Sequence, residues 1–467
     1  MLSPVVFARR RAALMARVGA PVLLVANGIR RRNLPINPLP FRQDSSFLYF
    51  TGCDTPGAAL LLTRDSEVLF LPEPADDDAL WHGAVSTLED ERVRWGADEV
   101  RPLSALEATI APLAGRVLSL AVPDLAQTAL ASRLSGRALA YGSDNGPDLL
   151  VDAIIALRRT LHAEEVHEIR RAGHVTEAAH RAAMAATRPG RHEREIAALF
   201  DAVIAAAGLV NAYESIVTVR GEVLHNFNKQ HWMKAGELLL LDGGAESAAG
   251  YATDVTRTWP VTGVFTAQQR DAYEAVLAAQ QAAIARVRPG VRYREVHDAA
   301  SLVLARFLKD QGLISLDPES AVERGVHALF FPHGVGHLLG LDVHDLENFG
   351  DRAAYAPGRA RSDQFGTAYL RLDSDLEPGN AVTVEPGFYI VPAIFADAAL
   401  MERFRGLVNL DALADWRGFG GIRIEDDVLV TEGEPEVLTE GVPRTVAALE
   451  ALVGTAEALT IPQMASA

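Results

Sequence analysis

The sequence predicts an α/β (α+β) protein in two parts: an N-terminal α/β domain over residues 1–155 and a larger C-terminal domain over 156–467. Three observations carry this. Short β-like runs alternate with helical periodicity through the first 140 residues. A turn-rich stretch, Ser143-Asp144-Asn145-Gly146-Pro147-Asp148, then separates them from strongly helical sequence. Finally, Arg188-Pro189-Gly190-Arg191-His192-Glu193-Arg194-Glu195-Ile196 recurs one hundred positions later as Arg288-Pro289-Gly290-Val291-Arg292-Tyr293-Arg294-Glu295-Val296. A repeat in matching context implies a duplicated α/β half, here about 160–265 and 266–435.

In order, residues 7–18 read as an amphipathic helix and Val22 to Ala26 as a strand. Arg30-Arg31-Arg32 reads as a solvated loop. Phe47 to Phe50, Ala58 to Leu62 and Val68 to Leu71 read as three strands between turns. Leu103 to Leu113, Val117 to Val122 and Leu125 to Leu134 continue the alternation. Leu149 to Leu157 and Glu164 to Thr187 are helices. In each repeat copy Pro-Gly stops one helix and acidic residues support the start of the next.

Composition limits the function. A formal net charge of −17 argues against a nucleic-acid surface and against anionic membranes. A 49% hydrophobic content indicates a globular chain with a sizeable core. Cys53 is the only cysteine, so no internal disulfide forms, and it reads as a small core residue. No segment has the length of a membrane span or a signal peptide, and the cytoplasm is the expected compartment.

The chemistry centres on Glu237 to Pro260. Leu238 to Leu241 form a run buried on both faces that ends in Asp242 before Gly243-Gly244. The following run, Tyr251 to Thr258, alternates and places Asp254 on a face with Thr256 and Thr258. A hairpin brings Asp242 and Asp254 together, and converging carboxylates repel unless a cation lies between them. Alone, the stretch also fits two solvated acids at strand ends. The duplication supplies counterparts: Ala381 to Gly387, carrying Glu385, and Gly421 to Val428, carrying Glu425. Between them, Phe330 to Asp345 contains His333, His337 and His344 in an apolar run, without the HExxH spacing of a zincin helix. Four carboxylates and one neutral imidazole balance two divalent ions. Hard oxygen donors with one nitrogen suit Mn²⁺ or Co²⁺, with Zn²⁺ also admissible. Two such ions sharing a water lower its pKa and polarise a carbonyl, which is hydrolase chemistry.

The motifs LLLLDGG, GYATDVTRT, HGVGHLLGLDVHD, TVEPGFYI and GGIRIEDDVLVT resemble those of the M24 metallopeptidases of pita-bread fold, in the branch of Xaa-Pro aminopeptidases and prolidases. FRQDSSFLYFTG and LWHG resemble that branch's creatinase-like N-terminal domain. The resemblance implies Asp242, Asp254, His337, Glu385 and Glu425 as metal ligands, with Glu385 also the general base or proton shuttle for the bridging hydroxide that acts as nucleophile. It further implies His225 as a substrate-side histidine and His333 and His344 as lining the proline pocket and stabilising the tetrahedral intermediate. Arg423 lies on the strand face of Glu425, and Tyr389 supports the site from behind. The implied substrates are peptides with proline in the second position, and the implied assembly is a homodimer or homotetramer, with a neighbour's N-terminal domain near the site.

Two departures matter. The segment between Asp345 and Glu377 is long, as in prolidases, and Arg371 matches an arginine that grips the free carboxylate of a dipeptide in those enzymes. An Xaa-Pro aminopeptidase is therefore expected, with prolidase as the alternative. A non-catalytic peptide-binding module of this fold would lack part of the acid and histidine set, all of which is present. Asp242 and Asp254 lie one residue further apart than in the family, and the extra residue is expected at the hairpin tip, around Ser247 to Ala249.

Overall fold

The computed structural model describes residues 2–34 and 36–456. The chain divides into two compact units, Met1–Arg159 with Leu346–Ala353, and Thr160–Asp345 with Ala354–Ala467. The inclusion of Leu346–Ala353 in the first unit has no sign in the sequence.

The first unit is built on a mixed five-stranded sheet. Its strands are β1 (Val22–Val25), β2 (Ala59–Leu62), β3 (Glu67–Leu71), β4 (Glu99–Pro102) and β5 (Leu118–Ser119), in the order β4-β3-β2-β1-β5. β1, β2 and β3 pair antiparallel, while β4 and β5 run parallel to their neighbours. One face buries Leu23, Val25, Leu61, Val68 and Phe70 against Leu106 and Ile110. Helix α1 (Pro4–Val18) starts at a Ser3 cap and stops at Gly19, which takes a left-handed conformation. Its Arg11 is buried, yet every nitrogen is used: Nε donates to Glu67 at 2.6 Å, Nη1 to Phe50 O and Nη2 to Gly96 O. Cys53 is fully buried.

Phe47 to Phe50, expected as a strand, is instead a helix, Ser45–Thr51. Asp44 caps it by accepting from Phe47 N at 2.8 Å, and Gly52 ends it at φ 65°. A four-residue apolar run carries no period long enough to tell strand from helix. The cap and the glycine decided it.

The second unit repeats one arrangement twice. Helices α2 (Ala163–Ala186) and α3 (Glu193–Ala206) accompany the first copy, and α4 (Ala267–Ile284) and α5 (Tyr293–Asp310) the second. α4 buries Ala272, Val276, Ala279 and Ala283, the three- and four-residue spacing of one helical face. The first copy has β6 (Val210–Asn211), β7 (Ile216–Thr218), β8 (Leu238–Asp242), β9 (Ala245–Glu246) and β10 (Thr256–Pro260). β8 lies between β7 and β10, both antiparallel, which is why its four leucines are buried on both faces. The second copy has β11 (Ala381–Val384), β12 (Gly387–Tyr389), β13 (Gly421–Arg423), β14 (Asp426–Leu429) and β15 (Glu436–Val437). β11 pairs with β14, and β12 with β13.

Two links tie the copies together. Glu425 N donates to Thr256 O at 3.0 Å, and Arg423 N to Thr258 Oγ1 at 3.2 Å. Beneath them lies a fully buried ion pair. Arg257 donates to Asp426 at 2.7 Å, and Asp426 also accepts from Arg444, Gln280 and Thr439. Burial alone would raise the Asp426 carboxyl, but the two guanidinium groups outweigh it and hold it below the usual range. Such a pair is costly to break, because the survivor remains buried and charged.

Several buried histidines are held neutral. Burial pushes His327 down from 6.5 to about 4, although Ala321 O accepts from its Nδ1. A histidine depressed in the fold contributes stability that is complete above the unfolded value and is lost as pH falls towards the folded one. Between pH 7 and pH 5 the contribution of His327 falls by about 2 kcal/mol. The stability advantage of the natural protein over His327→Asn is therefore expected to shrink by about that amount, measured by denaturant unfolding at the two pH values.

Candidate metal centre and active site

Asp242 ends β8, where it stands opposite Thr256 on β10 and Ile216 on β7. The expected alternation through Asp254 is not regular strand, because β10 begins only at Thr256. Asp254 sits in the preceding connection, whose tip is closed by Ser247 N donating to Tyr251 O and Gly250 N donating to Ser247 O. The Gly-Gly pair permits the close return: a Cβ on Gly244 would stand 1.9 Å from Thr253 O. Asp254 is then fixed through its N–H, which donates to both carboxylate oxygens of Asp427 at 3.1–3.2 Å.

The histidine segment runs along β11 as an additional edge. Thr383 N donates to His337 O, Leu339 N to Ala381 O, and Glu385 N to Val335 O. This ladder sets His337 beside Glu385. Glu425 follows β13 and accepts from Thr256 Oγ1 at 2.6 Å. The three consecutive acids Glu425, Asp426 and Asp427 thus have separate tasks, facing the site, pairing Arg257 and holding Asp254.

Donor atoms within 4.8 Å of one another form overlapping groups: Asp242 with Asp254 and Glu425, His337 with Glu385 and Glu425, and Asp254 with His337 and His344. Glu425 is common to the first two. Tyr213 donates to Asp242 at 2.6 Å and also contacts Asp254. Arg423 Nη2 lies 2.5 Å from Asp242 Oδ2, and its Nε donates to Thr256 Oγ1 at 3.0 Å.

The electrostatics fit divalent cations. Burial raises all four carboxyls above their ordinary values, and repulsion from neighbouring acids adds to it at Asp242, Glu385 and Glu425. Glu385 is pushed up to about 8 by burial and by Asp254 and Asp242, against the opposing pull of Arg423. His337 adds a second sign. Its Nδ1 donates to Leu338 O at 3.0 Å, which leaves Nε2 facing Asp254, 3.4 Å away, and Glu385, 3.8 Å away. With Nδ1 held as a donor, Nε2 is the nitrogen that would ligate a cation placed between the ring and these carboxylates. The donor set is oxygen-rich with one nitrogen and no sulfur.

His333 stands beside this centre with both ring nitrogens engaged. Gly334 O accepts from Nδ1 at 2.8 Å, so Nε2 accepts from the Tyr389 hydroxyl at 2.9 Å. Arg423 Nη1 donates in turn to Tyr389 Oη at 3.3 Å. Burial and the Arg423 charge bring His333 down to about 3, which keeps it neutral. Its ring packs edge-on against Phe331, 4.8 Å between centroids, making an apolar wall. His344 meets His337 edge-on at 4.3 Å and is likewise brought down to about 3, mainly by burial. His225 is exposed and lies parallel to the Phe227 ring at 6.4 Å, and partial desolvation, followed by the charges of Arg423 and Arg371, lowers it. Arg371 is half-buried, and its charge is felt at Asp254, His225, His333, His344 and Glu385.

All the residues singled out from the sequence therefore lie in or around one centre. Tyr213, Thr256 and Asp427 complete it and were not foreseen. Tyr213 carries no spacing signal, and Asp427 was hidden in a run of acids.

Fold and site define a duplicated α/β protein that gathers four carboxylates and an imidazole in one place, a donor set suited to divalent cations. The chain matches the model of "Metallopeptidase family M24" over residues 167–432 and that of "Aminopeptidase P, N-terminal domain" over 7–119. It is 32% identical to a probable Xaa-Pro aminopeptidase of Aspergillus clavatus, across 93% of both chains. It is 30% identical to the human Xaa-Pro dipeptidase, across 95% of this chain and 91% of the other. The structure of Pseudomonas aeruginosa aminopeptidase PepP superposes with a TM-score of 0.78 at 31% identity, over 97% of this chain and 98% of that one. This protein belongs to metallopeptidase family M24.

Proposed function

We propose that this protein is an Xaa-Pro aminopeptidase, removing the first residue of peptides that carry proline in the second position. The observation that carries this reading is the pair of donor groups sharing Glu425, set beside the apolar wall of His333 and Phe331. Divalent ions, for which Mn²⁺ is proposed, would be held by Asp242, Asp254, His337, Glu385 and Glu425, and would supply an activated water and a polarised carbonyl. The chain's own residues do the rest. Glu385 receives the proton released as water attacks and returns it to the departing nitrogen. A proline imide nitrogen has no hydrogen to donate, so the site needs a proton source there and an apolar surface for the ring. His333, His344 and Phe331 supply the surface. Arg423 and Tyr389 hold the His333 ring in one orientation. His225 stands on the substrate side. Cytoplasmic location and assembly as a homodimer or homotetramer complete the proposal.

Arg371 supports a second reading, a strict dipeptidase, because its positive charge reaches the centre and would grip a free proline carboxylate. Assays with Xaa-Pro and Xaa-Pro-Yaa peptides in Mn²⁺ separate the two. Cleavage of the longer peptides is expected, with KM unchanged within about twofold in Arg371→Ala. Turnover of dipeptides alone, with KM rising about tenfold or more on that substitution, would establish the dipeptidase.

A further inference from the structure

The sequence repeat leaves one residue unexplained. Glu193 opens α3, where an acid ordinarily serves the helix start from the surface. Here it is fully buried. Its carboxylate accepts from Val219 N at 2.8 Å through Oε1 and from His231 N at 2.8 Å through Oε2. His231 Nδ1 lies 3.1 Å from the same group, and Glu193 N donates back to His231 O at 3.1 Å. One carboxylate thus closes both ends of the 219–231 loop. His225 lies midway along it, exposed and supported within the loop by Phe227.

The duplication shows the same device in other chemistry. Position 293, one hundred residues on, is Tyr293 at the start of α5, also fully buried. Its hydroxyl donates to Thr383 O at 2.6 Å, and Thr383 Oγ1 accepts from His337 N at 3.1 Å. In the first copy that residue closes the loop carrying His225, and in the second it bonds β11, to which the segment carrying His337 is hydrogen-bonded. A buried acid needs compensating contacts, and those of Glu193 go to the two ends of one functional loop.

We propose that Glu193 is a positioning residue for His225, acting by clasping the base of its loop. This rests on the substrate-side role of His225 given above. A loop closed at both ends has few conformations to lose on binding, whereas one opened at its base must be ordered by substrate. The effect therefore belongs in KM, with kcat and metal content spared.

Glu193→Gln tests this in the full-length, Mn²⁺-loaded protein. Glutamine keeps the shape but offers one oxygen, and its amide nitrogen faces a backbone N–H where an acceptor stood. Hydrogen exchange at Val219 and His231 is expected to quicken at least tenfold, with β8 unchanged. Glu195→Gln, two residues along and on another face of the helix, is expected to leave both unaltered. On an Xaa-Pro-Yaa peptide KM is expected to rise about tenfold. In a His225→Ala background Glu193→Gln is expected to add less than twofold. Unchanged exchange at Val219 and His231 would overturn the clasp. A full tenfold effect on top of His225→Ala would show that Glu193 acts elsewhere than through His225. If His225→Ala leaves KM unaltered, the substrate-side role of His225 falls, and with it the positioning proposal, whatever the exchange data show.

Discussion

Asp254→Asn is expected to cost activity about a thousandfold or more, while making the metal-free protein more stable. The two effects share one cause. Asp254 is buried, meets Tyr213 through one oxygen and faces His337 through the other. Its charge raises Glu425, Glu385 and Asp242. A carboxyl whose folded value lies above its unfolded one contributes stability that is complete below the unfolded value and lost as pH rises through the folded one. For Glu385 that window runs from 4.5 to about 8. The metal-free protein therefore destabilises itself as pH rises across it. Removing one negative charge reduces the repulsion, so unfolding midpoints of metal-free Asp254→Asn should exceed those of the natural protein at pH 8. Under the proposed function the same charge would hold a cation, and losing several kcal/mol of cation-derived stabilisation corresponds to about three decades in rate. Calorimetry with and without Mn²⁺, alongside kcat, reads both. A variant that loses activity without gaining metal-free stability would mean that the acids are not in mutual repulsion.

Arg423→Ala is expected to lower stability by about 3–5 kcal/mol, the cost of stripping one partner from a buried pair, and kcat/KM at least a hundredfold. Arg423 is buried and its three nitrogens serve three elements: Asp242 on β8, Thr256 on β10 and Tyr389 on β12. Through Tyr389 the fork orients the ring of His333, and through Thr256 it meets the hydroxyl that donates to Glu425. The charge also opposes the rise in the Glu385 carboxyl. Arg423→Lys restores the charge but not the planar fork. It should recover most of the stability and little of the catalytic efficiency. Equal recovery of both would reduce Arg423 to a counter-charge.

Asp242 drew notice because an acid terminating a doubly buried leucine run demands an explanation, yet the stretch alone also fitted solvated acids, and the repeat was needed to decide. Glu385 and Glu425 became legible through the repeat, which turned one pair of acids into two. Glu425, Asp426 and Asp427 could not be told apart by spacing, since adjacent residues differ only in the direction a strand end gives them. The repeat and the motif had singled out Glu425, while the tasks of Asp426 and Asp427 came only with the paths of Arg257 and of the Asp254 N–H. Tyr213 was invisible, and Thr256 was placed only on the face of Asp254 with no task, for a related reason: a single hydroxyl acquires its meaning only when another segment folds over it. The same holds for Glu193, which reads as an ordinary helix start until Val219 and His231 are brought to it. In the first unit, Ser45–Thr51 was misread because its apolar run is shorter than one helical period can reveal. The elements of the fold were thus easier to foresee than the contacts that bind them.

Under the proposed function the four carboxylates and His337 form one centre for two divalent ions. Its most direct measurement is a titration of metal-free protein with Mn²⁺ that follows bound metal, proton release and cleavage of an Xaa-Pro-Yaa peptide together. Two equivalents are predicted, with protons released as the raised carboxyls ionise and with cleavage appearing as the centre fills. Binding of well under one equivalent, with no proton release and no cleavage, would contradict it.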